Sequence, residues 1–255
     1  PYHLKILLLV ITLGPLLGSL LAGLAGKGIG RKGAHWVTIF CVAVAFICSL
    51  IVAKWYLLAN YAPYQITFYN WAISGAYQFN VGFLIDRLSA VMLVVVTFVS
   101  FMVHIYSMGY MREDPGYQRF FSYVSLFTFA MICLVLADNF LLLFFGWEGV
   151  GLVSYLLIGF WNHKNSANAA AVKAFVVNRV GDFGLALAMF AIFVVFGSVQ
   201  FDEIFAAAPE MVGAYFTLFG FEVHALTAIG LLLFVGAIGK SAQLGLHTWL
   251  PDAME

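Results

Sequence analysis

Residues 141–161 read LLLFFGWEGVGLVSYLLIGFW, an apolar run that carries one charged residue, Glu148, near its middle. The run is long enough to cross a hydrocarbon core of about 30 Å as a single helix. A lone carboxylate at bilayer depth costs about 3 kcal/mol on insertion scales, so a chain keeps one only with a partner or a task. A protonated Glu hydrogen-bonded to a neighbouring helix would meet the first condition. Gly149, Gly151 and Ser154 favour the second, because small residues let another helix come close to the carboxylate.

The rest of the 255 residues agrees with a membrane setting. Apolar residues make up 64% and charged residues 9%, too little charge for a soluble domain of ordinary makeup. Membrane β-barrels read as alternating segments of about ten residues, whereas the apolar runs here last about twenty or more, so the spanning elements are helices. The fold class expected is an all-α polytopic transmembrane helix bundle. Net charge is zero, which gives no footing for nucleic acid. Cys41 and Cys48 lie about 10 Å apart by helical rise, too far for a disulfide, and with Cys133 they read as small core residues. The chain begins at Pro1 and stops at Asp252-Ala253-Met254-Glu255 just after an apolar run, which reads as a fragment of a longer protein. Lys5 precedes an apolar stretch as in a signal peptide. That stretch ends in GLAGKGIGRKG rather than a small-residue cleavage site, so a membrane anchor helix is expected.

Seven apolar spans are expected, at roughly 4–25, 35–58, 85–110, 118–137, 139–161, 169–197 and 223–245. Lys27, Arg31, Lys32, Arg112, Arg119 and Lys164 then fall on one side, the cytoplasmic one by the positive-inside rule. Asp138, Asp202, Glu203, Glu210 and Glu222 fall in the opposite loops, so the N-terminus is expected outside. Between spans 2 and 3, residues 65–71 and 77–81 alternate polar and apolar around Ser74-Gly75, the signature of a hairpin, expected on the outer side. A short surface helix is expected around Asp202 to Ala208, ended near Pro209. No linker of low complexity and no complete repeat appears, so one bundle is the simplest organisation.

The remaining deep charges lie in spans 6 and 7. Lys173 can snorkel to the surface. Arg179 and Asp182 lie one turn apart and deep, either as a self-neutralising pair or with the guanidinium keeping a carboxylate ionised for a nearby cation. Span 7 meets Lys240 and then Ser241, Gln243, Gly245, His247 and Pro251 in quick succession, so its helix is expected to break. In transporters such discontinuous helices carry ion sites near the midplane. Burial weakens the hold of a lysine on its proton and a neighbouring carboxylate strengthens it, so moving the carboxylate switches the charge. Lys240 with Glu148 is therefore the candidate proton-handling pair, against the alternative of a static ion pair. His247, beside the break, suits a proton relay, whereas His104 reads as a satisfied core residue. No nucleotide, metal or haem motif appears.

Four segments, YMREDPGYQRFFSYVSLF (110–127), LADNFLLLFFGWEGVGLVSYLLIGFW (136–161), AFVVNRVGDFG (174–184) and GKSAQLGLHTWLPDAM (239–254), resemble in order and spacing the large antiporter-like membrane subunits of respiratory complex I. The match is to the distal L-type branch of the bacterial proton-translocating NADH:quinone oxidoreductase, over essentially the whole chain. The resemblance implies fourteen or more helices with two inverted five-helix repeats, each with a broken helix. Residues 1–116 would then be the peripheral helices and external hairpin, and 117–255 most of the first repeat. It also implies that Glu148 is the key glutamate of the fifth helix, Lys240 the central lysine of the broken seventh, Asp182 with Arg179 the charged pair of the sixth, and His247 a histidine found in many members. Gly245 departs from the pattern, since the family usually has Pro there. The implied function is proton translocation coupled to quinone reduction in the bacterial inner membrane, without a redox centre in this chain. NAD, flavin, iron–sulfur clusters and quinone would sit in partner subunits, and an adjacent antiporter-like subunit would be the nearest neighbour. Mrp-type sodium/proton antiporters, membrane-bound hydrogenases and inorganic-carbon uptake complexes share these motifs, and a structural scaffold subunit with inert charges is the reading from a different class.

Overall fold

The computed structural model describes residues 2–74, 77–218 and 220–254. Among the described residues there are eight α-helices and two strand pairs, one between the second and third helices and one between the seventh and eighth, and the contacts group them into two compact units.

Unit 1 comprises residues 1–67 and 82–137. It holds α1 (Tyr2–Leu24), α2 (Gly26–Ala53), α3 (Arg87–Tyr110) and α4 (Tyr117–Leu136). α1 packs on α2 and α4, and α2 and α4 pack on α3. Gly18 permits the close approach at the centre: a Cβ there would lie 3.3 Å from Cys41 Cβ, Ser125 Oγ and Thr38 Cα. Between lipid-like surfaces, small residues and hydroxyls hold helices together where apolar burial cannot. Ser125 donates to the Pro15 carbonyl at 2.6 Å and Ser122 to that of Ser19 at 2.8 Å. α2 starts earlier than the apolar pattern suggests, with non-helical backbone at Gly30 (φ 69°), and it continues into one π-turn over Lys54–Leu58. α3 opens on a capping box in which Asp86 accepts from the Ser89 amide and Ser89 from the Asp86 amide, both at 2.8 Å.

Unit 2 comprises residues 68–81 and 138–255. It holds α5 (Phe140–Ile158), α6 (Asn165–Phe196), the short α7 (Phe201–Ala207) with a 3₁₀ turn over Ala208–Gly213, and α8 (Ala225–Lys240). The expected surface helix near 202–208 is α7, and Pro209 opens the 3₁₀ turn. The strands β1 (Tyr64–Ser74) and β2 (Tyr77–Ile85) pair as the alternation suggests, while the expected turn at Gly75 lies outside the described residues. A second antiparallel pair, β3 (Tyr215–Leu218) with β4 (Phe221–His224), went unrecognised in the sequence because its strands are only four residues long.

Among the described residues six helices are long and apolar enough to cross a membrane, and α8 is a shorter apolar helix of 16 residues. α8 stops at Lys240, before Gly245 and Pro251. Its end is a Schellman cap: the Gln243 amide donates to Ile238 O at 3.0 Å and the Ala242 amide to Gly239 O at 3.4 Å, with Ala242 at φ 49°. Residues 241–254 continue as turns, held by Trp249 Nε1 donating to Gly239 O at 3.1 Å.

Asp138 corrects the sequence reading, which placed it in an open loop. It is fully buried beside Asn139 and Gln200 in a polar knot at the head of α5. Asn139 caps the Leu142 amide at 2.8 Å and donates to Asp138 Oδ1 at 2.7 Å and Asn80 Oδ1 at 3.0 Å, and Gln200 donates to the same Asn80 oxygen at 3.0 Å. A helix start so tethered fixes the height of Glu148 two and a half turns further along.

Candidate functional site

α6 and α8 cross at glycine. A Cβ on Gly181 would lie 3.0 Å from Gly239 Cα and 3.2 Å from Val235 O, and one on Gly184 would lie 2.6 Å from Val235 Cγ1. A Cβ on Gly236 would meet Leu185 Cβ at 3.0 Å. Two residues of each helix are thus bare so that the backbones can touch, and this contact brings Asp182 opposite Lys240. The signal in the sequence was present as glycine pairs three apart on both segments, 181/184 and 236/239.

The ionic groups form a chain across three helices. Glu148 of α5 pairs with the Arg179 guanidinium. Arg179 Nε lies 3.9 Å from Asp182 Oδ2 within α6, and Asp182 Oδ1 lies 3.5 Å from Lys240 Nζ at the end of α8. Asp182 is 4% exposed and Lys240 18%. The expected pair of Glu148 with Lys240 is therefore mediated: Glu148 contacts Arg179, and Asp182 is the carboxylate against the lysine. Partner choice follows from which helices touch, and the spacing of residues along one chain does not carry that information.

Two further side chains belong to the site and were not singled out from the sequence. Trp147 Nε1 donates to Asp182 Oδ1 at 2.7 Å, and the Trp147 ring centroid lies 6.0 Å from Lys240 Nζ. A hydrogen bond to a charged acceptor is worth about 1.5–3 kcal/mol net. Asn178, one turn before Asp182, donates to Ala174 O at 2.8 Å and keeps a buried Oδ1 without a hydrogen bond among the described residues, as do Glu148 Oε1 and Lys240 Nζ. Gly151 gives the lysine room, since a Cβ there would come within 2.6 Å of Nζ.

His247 and Lys173 stand apart from this chain. His247 is exposed and accepts at Nδ1 from the Gly245 amide at 3.3 Å. Lys173 reaches the surface and pairs with Asp252 at 2.6 Å, both about half exposed. His104 is fully buried in unit 1: Nδ1 donates to Ser100 O at 2.7 Å, while Nε2 has no hydrogen bond among the described residues. Among the described residues no group of three or more His, Cys, Asp and Glu is placed to hold a metal ion.

Apolar helices with carboxylates, a guanidinium and an ammonium strung between α5, α6 and the end of α8 mark a polytopic membrane chain with charges at depth. Residues 137–255 match the family described as NADH:quinone oxidoreductase/Mrp antiporter, TM, and residues 71–121 match the family described as NADH-Ubiquinone oxidoreductase (complex I), chain 5 N-terminus. The chain is 53% identical over 252 residues to NADH-quinone oxidoreductase subunit L of Neisseria meningitidis serogroup A, covering 98% of this chain and 37% of that one. It is 52% identical over 247 residues to NADH-ubiquinone oxidoreductase chain 5 of Chondrus crispus, covering 97% of this chain and 37% of that one. The chain thus spans little more than a third of the length of these relatives. The fold is similar to the Mrp complex of a Dietzia species, with TM-score 0.76 and 24% identity over 99% of this chain and 25% of that one. It is also similar to an archaeal membrane-bound sulfane sulfur reductase, with TM-score 0.74 and 22% identity over 97% of this chain and 36% of that one. The chain belongs to the family of antiporter-like membrane subunits, with its similarity concentrated on the subunit L/chain 5 branch of NADH:quinone oxidoreductase.

Proposed function

We propose that this chain carries the first proton-handling site of a proton-translocating NADH:quinone oxidoreductase subunit. The observation that carries the reading is the unbroken ionic sequence Glu148, Arg179, Asp182, Lys240, which runs across α5, α6 and the truncated end of α8. In this reading Lys240 binds and releases the proton. Asp182 is the carboxylate that raises its affinity, and Glu148 acts on both through Arg179. When Glu148 draws Arg179 away, Asp182 is free to turn fully to Lys240. When Arg179 returns, the lysine loses part of its counter-charge and gives up its proton. One pKa unit corresponds to about 1.4 kcal/mol, and unit charges a few ångströms apart in a medium of reduced dielectric interact by several times that, so a shift of a few ångströms suffices.

The redox chemistry belongs, in the same proposal, to other subunits that hold NAD, flavin, iron–sulfur clusters and quinone, with an adjacent antiporter-like subunit passing the conformational signal in the membrane plane. The basic residues near the ends of spans 1, 3 and 5 support an N-terminus outside and a bacterial inner-membrane location. Cysteine labelling at Ser166 tests that orientation: reaction only from the outer face would overturn it.

The deciding experiment is the full-length subunit in its assembled complex, reconstituted in proteoliposomes. Lys240→Ala and Glu148→Ala are expected to lower proton pumping by at least about tenfold, a barrier change of roughly 1.4 kcal/mol. Lys240→Arg is expected to assemble and still pump poorly, because a guanidinium does not readily release its proton. An assembled Lys240→Ala complex that pumps at the wild-type proton-to-electron ratio would refute the reading. Pumping that depends on sodium rather than on the proton gradient would move the chain to the Mrp side of its family.

A further inference from the structure

Lys240 presents an anomaly that its ion pair alone does not account for. A largely buried ammonium beside a carboxylate would ordinarily close to a hydrogen bond of about 2.7–2.9 Å, yet Nζ stands 3.5 Å from Asp182 Oδ1. The oxygen facing the lysine, Asp182 Oδ1, already accepts a hydrogen bond at 2.7 Å from Trp147 Nε1. The other oxygen, Oδ2, faces Arg179 at 3.9 Å. The same indole that holds Oδ1 also turns its ring toward the ammonium, with 6.0 Å between centroid and Nζ, a distance at which a ring attracts a cation. One side chain therefore grips the carboxylate and offers the lysine a weaker, uncharged partner.

We propose that Trp147 is a positioning residue that keeps the Asp182–Lys240 pair from closing, so that the lysine senses the carboxylate without being locked to it. The inference rests on the proton-handling reading above and adds a part to it. A pair held short of a direct hydrogen bond can be strengthened or weakened by a small displacement of Asp182, whereas a closed pair would hold its proton through the whole cycle. The charged groups facing Lys240 are Asp182 and Arg179 from α6 and Glu148 from α5, so the clamp acts on the nearest of three.

Trp147→Phe keeps an aromatic ring toward Lys240 and removes only the donor. In the full-length assembled complex it is expected to lower the pumping rate near pH 7 by about fivefold. It is also expected to move the pH of maximal rate upward by about one unit, because a closed carboxylate holds the lysine proton more tightly. A benzothienylalanine at 147, in which sulfur replaces the indole N–H without a change of shape, is expected to reproduce both effects, and it serves in place of Trp147→Phe should that variant fail to assemble. Wild-type rate and pH optimum in the donor-less variants would overturn the clamp. A rate lost equally at every pH, with the optimum unmoved, would reduce Trp147 to a packing residue and overturn it as well. The Lys240→Ala complex distinguishes the two levels: if it pumps normally the proton-handling reading fails, whereas if it is dead and the benzothienyl variant is normal only the clamp fails.

Discussion

In unit 1 the buried polar groups are hydroxyls and one imidazole, whereas unit 2 buries the carboxylates and amides of Asp138, Asn139, Asp182 and Gln200 and sets the more exposed Glu148, Arg179 and Lys240 around Asp182. The hydroxyls are answered close to home: Thr97 donates to Leu93 O at 2.6 Å, Ser107 to Val103 O at 2.7 Å, and Ser100 meets Thr128 at 2.5 Å across α3 and α4. The first two bonds lie within α3, while the third, like those of Ser122 and Ser125 to α1, ties helices together without net charge. The charges of the unit 2 site are answered mainly by one another, Glu148 with Arg179 and Asp182 with Lys240 across helices and Arg179 with Asp182 within α6, while Trp147 Nε1 also donates to Asp182. The contrast teaches that polarity at membrane depth is not itself a functional mark. Net charge at depth, paired across elements that can shift, is the mark.

Breaking the charged side should have the largest effect. Asp182→Asn keeps an oxygen for the Trp147 N–H but removes the charge beside Lys240, and pumping by the assembled complex is expected to fall at least about tenfold. Pumping within twofold of wild type would place the site on the same inert footing as unit 1. Gly181→Leu forces side-chain bulk against the Gly239 backbone, 3.0 Å from the first added carbon. It is expected to cost about 1–3 kcal/mol in thermal or denaturant unfolding and to lower pumping with it, because the α6–α8 crossing aligns Asp182 with Lys240. Unchanged stability would show that the crossing can open without loss.

On the uncharged side, Ser125→Ala removes the 2.6 Å bond to Pro15 O and is expected to cost about 0.6–2 kcal/mol in stability while leaving pumping unchanged. A pumping defect at full assembly would erase the distinction between the two units. The smallest effect is expected for Lys173→Ala. Its ion pair with Asp252 is about half exposed on both sides, and exposed pairs contribute about 0–1 kcal/mol, so neither stability nor pumping should move beyond measurement error. A pumping loss as large as that of Asp182→Asn would show that Lys173 also handles the proton.

Composition and run length by themselves determined that this is a membrane helix bundle, because only helices and closed barrels satisfy backbone polar groups in hydrocarbon and apolar runs of about twenty residues do not suit barrel strands. Single residues did nearly as much for the site. Glu148, Arg179, Asp182 and Lys240 are costly at depth and therefore stand out in an apolar sequence without any structure. The hairpin strands were legible from period-two alternation, and the interruption after Lys240 from the density of polar residues and glycine that follows it. The tertiary structure decided everything that depends on which faces meet. It gave Asp182 rather than Glu148 to Lys240, through glycines 181, 184, 236 and 239, and it left His247 exposed and outside the ionic chain. It buried Asp138, which a loop position had suggested was open, and it moved the end of α8 from Gly245 to a Schellman cap around Ala242. It also drew in Trp147, indistinguishable in the sequence from any aromatic in an apolar run until its N–H is seen on a carboxylate. A sequence records which groups are expensive to bury, and only the packing of helices records which group each one is buried against.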